Sequence, residues 1–149
     1  MSSVKIFTIG FTETSAEHFF SRLQQAGVRK VIDTRLWADT HLAGFAKKRN
    51  LPYFLEKLVA TGYEHKEELA PSEDILKDFK NKKISWGEYE TRYLELLHKR
   101  KIADRLKTEQ VDNACFLCAE QKPHHCHRRL LAEYLKQEWA DQNIEIVHL

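Results

Sequence analysis

Apolar positions along the chain switch between two spacings, and the switches mark alternating strands and helices. Val4-Lys-Ile-Phe-Thr-Ile9 is short, apolar and rich in β-branched residues, which predicts a strand. Thr14-Ser-Ala-Glu17 has the spacing of a capping box opening a helix. Phe19, Phe20, Leu23 and Ala26 then share one helical face, and Gly27 suits the left-handed residue that ends such a helix. Arg29 to Asp33 predicts the second strand of a β-α-β unit, whose crossover is right-handed with parallel strands. Residues 36–48 have no clean period and read as a loop with a turn of helix at most.

Further along, Asn50 is placed to cap a helix with Pro52 in its first turn, Leu55, Leu58 and Val59 inward, and Gly62 at its end. Tyr63 to Lys66 is a short strand candidate. Ser72 caps a short helix, with Glu73 and Asp74 favourably set against its dipole. Ser85-Trp-Gly-Glu88 is a second capping box, opening a helix to about Arg100 with Trp86, Tyr89, Tyr93 and Leu97 as its apolar stripe. Asn113 to Cys118 reads as a strand buried on both faces. A loop leads to a helix from about His127 to Ala140 carrying Leu131, Tyr134 and Leu135 inward, and Ile144 to His148 closes as a strand. The alternation predicts an α/β fold, a three-layer α/β/α sandwich around a mostly parallel sheet of about 4–5 strands. No repeat or linker interrupts it, so residues 1–149 read as one domain.

Composition narrows the partners. Hydrophobic residues are 42% of the chain, enough to build a core without metal or disulfides. No apolar run approaches the roughly 20 residues a membrane span needs, which argues against a membrane partner. The start lacks the basic and apolar regions of a signal peptide. Three clustered cysteines, Cys115, Cys118 and Cys126, argue against a secreted disulfide framework and for a reducing, cytoplasmic setting. Net charge is only +2, and acidic residues separate the basic runs. Those runs read as solvated faces, and nucleic acid as a partner has weak support.

Candidate chemistry collects at the carboxyl ends of the predicted strands, where open α/β sheets bind ligands. Gly10-Phe-Thr, Asp33-Thr-Arg35 and Cys118-Ala-Glu120 should meet there. The last of these runs into a helix start at Cys126-His127-Arg128, whose unpaired N–H groups favour an anion. Arg35 and Arg128 suit phosphate or carboxylate. A thiol at a helix start beside cations favours its thiolate, which makes Cys126 the candidate nucleophile and Cys118 a strand-end ligand or partner. Asp33 or Glu120 could serve as general acid or base, and His127 could carry a proton at neutral pH.

Plainer readings stand beside these. Cys115 suits the core, Asp33 and Arg35 could simply tie a loop to the sheet, and His124 and His125 could face solvent. The density of Cys118, His124, His125, Cys126 and His127 suggests metal, but the spacing matches no recognised zinc pattern, and no metal ligand set or cofactor is assigned. Cys115-x-x-Cys118 lies on a strand, so its sulfurs would point to opposite faces. The Cys-x5-Arg phosphatase loop is absent.

Taken together, Thr8-Ile-Gly-Phe11, Asp33-Thr-Arg35, Gly44-Phe-Ala-Lys-Lys48, Cys118-Ala-Glu120 and Cys126-His-Arg128 resemble the YeaO-like family, domain of unknown function 488. The resemblance runs from about Ile6 to His148, and the pairing of Cys-Ala-Glu with Cys-His-Arg is its most specific part. It implies a compact α/β protein with a shared site at Thr8, Gly10, Asp33, Arg35, Gly44, Cys118, Glu120, Cys126, His127 and Arg128, and no established reaction. The chain departs from the family pattern at Leu36-Trp-Ala-Asp-Thr40 and at Leu69-Ala70. The expectation is a crevice for a small anionic ligand, phosphorylated or nucleotide-like, whether or not it is catalytic. The alternatives are a non-catalytic nucleotide or nucleic-acid binding module, or a metal or redox sensor.

Overall fold

The computed structural model describes residues 3–39, 44–119 and 125–149. Strand β1 (Ser3–Gly10) leads to helix α1 (Ala16–Ala26) and strand β2 (Lys30–Asp33). A 3-10 turn at Gly44–Ala46 precedes α2 (Leu51–Val59) and β3 (Gly62–His65). Then come α3 (Glu73–Lys80), α4 (Trp86–Lys99), the short α5 (Ile102–Arg105) and α6 (Thr108–Val111), β4 (Ala114–Cys118), α7 (His127–Glu138) and β5 (Asn143–His148). The five strands form one sheet in the order β3-β2-β4-β1-β5. Every neighbouring pair is parallel. Among the described residues, no helix is long and apolar enough to cross a membrane.

Alternation along the strands sends side chains into two cores. Phe7 and Ile9 of β1, Val31 of β2 and Leu117 of β4 pack with Phe19, Leu23 and Leu55 from α1 and α2. Ile6, Ile32 and Phe116 face the other way, toward Tyr93, Leu97 and Leu131 from α4 and α7. Both faces are therefore covered, as parallel sheets require, and β4 is buried at every position.

Local details correct several expectations. The cap of α1 is Ser15 rather than Thr14, and its hydroxyl accepts from the His18 N–H. Two adjacent hydroxyl residues compete there, and Ser15 has the extended backbone that a cap needs. Leu58 is exposed, because α2 turns Leu51 and Leu55 inward instead. Ala60, not Gly62, takes the left-handed conformation after α2, and Gly62 opens β3. The Asn50 side chain donates to the Gly44 carbonyl and makes no cap bond. Helices α5 and α6 span four residues each, too short for any periodicity to announce them.

The topology locates the site. Strands β1 and β4 are neighbours, yet α1 follows β1 on one face while α7 follows β4 on the other. The two connections diverge, and a crevice opens at the carboxyl ends of β1 and β4.

Candidate functional site

An open cavity of about 790 Å³ occupies that crevice. Phe11 to Thr14 line it from the end of β1, Arg35 to Trp37 from the end of β2, and Cys118, Ala119 and His125 to His127 from the connection between β4 and α7. Phe79 and Lys80 of α3 and Tyr89 of α4 form the outer wall. Backbone bonds hold the edges together: the Phe11 and Thr12 N–H groups donate to the Ala119 carbonyl, and the Thr34 N–H donates to that of Leu117.

Arg35 is rigidly held on the α1–α2 side. Its Nε donates to Asp33 Oδ1 at 2.9 Å and its Nη2 to Asp33 Oδ2 at 2.7 Å. Nη2 also donates to the Ala46 carbonyl, and the guanidinium stacks 5.1 Å from the Phe11 ring centroid. Asp33 further accepts from the Arg35 backbone N–H and from the Tyr63 hydroxyl. Burial, reinforced by the neighbouring carboxylate, pushes the Tyr63 phenol well above its ordinary range, so Tyr63 is a donor here. Arg35 Nη1 has no hydrogen-bond partner among the described residues.

Soft atoms gather on the α7 side. Cys118 ends β4 and Cys126 caps α7, and their sulfurs are joined as a disulfide. The Cys126 thiolate expected as a nucleophile is thus engaged by Cys118, and thiol chemistry there requires reduction first. Arg128 is fully buried; its Nε donates to Thr8 Oγ1 and its Nη1 lies 3.4 Å from Cys118 Sγ.

His127 has a determinate tautomer. Its Nε2 lies 2.8 Å from the Thr34 carbonyl oxygen and 2.9 Å from Thr34 Oγ1. The carbonyl can only accept, and the Thr34 hydroxyl spends its proton on the Leu117 carbonyl at 2.8 Å. The proton between His127 and Thr34 is therefore on Nε2, and Nδ1 keeps its lone pair. Burial is the largest influence on the ring's affinity for a second proton; the Thr34 contact opposes it, and Arg128 adds to it. The net result lowers the pKa to about 4, so His127 is neutral at pH 7.

The predicted residues thus divide. Arg35, Cys118, Cys126 and His127 line one cavity. Asp33 and Arg128 lie fully buried, and Thr8 is fully buried between the His148 ring and Arg128. Gly10 carries no contact to the cavity; its carbonyl accepts from Arg22. Asp33 points to the α1–α2 side and supports Arg35, because strand parity turns it away from Cys118. The start of α7 is buried from bulk solvent, with Cys126 and His127 on the cavity wall. His127, neutral and bonded through Nε2, is not placed to carry protons at neutral pH. Glu120 and His124 lie outside the described residues.

Sequence reasoning missed Thr34, Trp37, Phe79, Lys80 and Tyr89. Thr34 had a signal, its place between Asp33 and Arg35. The aromatic wall had none, since α3 and α4 reach the site only through tertiary packing.

A family model described as "Domain of unknown function DUF488" matches residues 15–135. No curated protein and no solved structure matches the chain.

Proposed function

We propose, for a chain that belongs to the DUF488 family of domains of unknown function, that the cavity binds a small anionic ligand with a flat ring system, a nucleotide-like molecule. The observation that carries this reading is the combination on its walls: aromatic rings of Phe11, Trp37, Phe79 and Tyr89 together with the cations Arg35 and Lys80. A volume of about 790 Å³ is within the roughly 300–1,000 Å³ of small-molecule sites.

Each part has a distinct role. Trp37 is 44% exposed, a large ring at the cavity rim suited to stacking. Arg35 is fixed by Asp33, so donating Nη1 to a ligand oxygen costs little ordering. That donor is buried with no partner among the described residues, and an acceptor reaching it would contribute about 1–3 kcal/mol. The Asp33 carboxylate neutralises much of the Arg35 charge, which favours a ligand of modest charge over a polyphosphate.

Isothermal titration with nucleoside mono- and diphosphates, and with inorganic phosphate, tests the reading. Saturable binding of a nucleotide is expected, weaker binding of phosphate alone, and a loss of about tenfold in affinity for Trp37→Ala with an unchanged melting temperature. No saturable binding by any nucleotide at millimolar concentration would overturn it.

A further inference from the structure

We propose that Cys118, Cys126 and His127, once the disulfide is reduced, form a three-ligand site for a thiophilic divalent cation, with zinc as the best fit. The Sγ atoms and one His127 ring nitrogen all lie within 4.8 Å of one another, and all three residues are buried. Sulfur and imidazole together select zinc among the abundant divalent ions, in tetrahedral geometry.

Three independent features prepare these residues for a metal. Thr34 fixes the His127 proton on Nε2, which leaves Nδ1 as the ring's ligand atom. Metal-bound histidines are held in this manner, with the second nitrogen donating to a backbone carbonyl. Arg128 Nη1 lies 3.4 Å from Cys118 Sγ and offers a charge-assisted N–H to a ligand thiolate. The Cα atoms of the two cysteines are 7.3 Å apart. A disulfide usually spans about 4.4–6.8 Å, whereas two sulfurs each about 2.3 Å from one tetrahedral ion stand roughly 3.8 Å apart and suit a wider Cα spacing.

The chemistry balances. A cellular thiol of the glutathione class supplies two electrons and two protons, leaving as its own disulfide and giving Cys118 and Cys126 as thiols. The cation then displaces both thiol protons to solvent, and His127 contributes a lone pair without losing a proton. All three ligands line the cavity. Among the described residues they are the three that could hold the ion, and a site with three protein ligands and one exchangeable position is reactive rather than closed and structural. The inference does not depend on the nucleotide reading: metal binding is measured without a nucleotide, and either can fail alone.

The test is cobalt(II) titration of the full chain, reduced with a phosphine and then freed of metal. One tightly bound ion per chain is expected, with intense thiolate-to-cobalt charge transfer and tetrahedral d–d absorption. The charge transfer should fall to about half in Cys126→Ser and vanish in the double variant Cys118→Ser/Cys126→Ser, whereas His127→Gln should keep it and weaken binding at least about tenfold. A spectrum like that of cobalt in buffer, or charge transfer that persists in the double variant, would overturn the site. Should the variants fail to fold, alkylation of the wild type decides. Zinc must then slow modification of Cys118 and Cys126 at least about tenfold, reversibly with chelator; identical rates with and without zinc would overturn the proposal.

Discussion

The two faces of the sheet treat their polar residues in opposite ways at the same edge. On the α1–α2 face, charge meets charge: Asp33 receives four hydrogen bonds, three from Arg35 and one from Tyr63. On the α7 face neutral and soft groups take part: among the partners of Arg128 are a hydroxyl and a sulfur, and His127 is an uncharged ring held by a threonine. Burial is equal, yet the chemistry left over differs. The first face spends nearly all its hydrogen-bonding capacity on holding one arginine still. The second keeps a nitrogen lone pair beside a cavity, and two sulfurs once their disulfide is reduced.

Breaking the first face should cost the most. Asp33→Ala leaves the Arg35 guanidinium buried without its counter-charge, and urea unfolding at pH 7 should show a loss of about 3–5 kcal/mol. A loss below about 1 kcal/mol would mean that the pair contributes little and that the two faces are alike in energy.

Next comes a pH effect peculiar to the second face. In the unfolded chain an imidazole protonates near pH 6.5, whereas in the fold His127 holds out to about 4. Between those values the unfolded state binds more protons, so this contribution is complete above pH 6.5 and is lost as the pH falls toward 4. With chelator present, the loss should be on the order of 3 kcal/mol across that window. His127→Gln should flatten that part of the stability profile, and an unaltered profile would place the sensitivity elsewhere.

Smaller effects sharpen the contrast. Tyr63→Phe removes one donor from the Asp33 carboxylate and should cost about 1.5 kcal/mol, measured the same way. Thr34→Val deletes the hydroxyl acceptor of His127; it should weaken cobalt binding roughly tenfold while leaving the Asp33 side untouched. Leu58→Gln, on exposed surface remote from both faces, should change stability by no more than about 0.5 kcal/mol.

How far these features could be read in the residues alone depends on whether their cause is local. Strands β1, β4 and β5 and the caps at Ser72 and Ser85 follow from short-range pattern, and all stand where that pattern puts them. Leu58 went astray because α2 is only nine residues long, and its hydrophobics outnumber the positions its buried stripe offers. The grouping of Arg35, Cys118, Cys126 and His127 was legible because strand ends in such folds share one edge. The divorce of Asp33 from Cys118 was not, since which face each side chain takes depends on exact strand register. The aromatic wall was further out of reach: Phe79 and Tyr89 are spaced as core residues, and only the packing of α3 against α4 brings their rings to the crevice.

The position of β1 has a consequence for how the protein is made. It lies between β4 and β5, with Ile6 opposite Ala114 on one side and Ile146 on the other. A chain emerging from the ribosome therefore exposes an apolar strand long before either neighbour has been synthesised. The central pairing must wait until β4 has been made, which predicts slow, late closure of the sheet and an apolar strand open to aggregation until then.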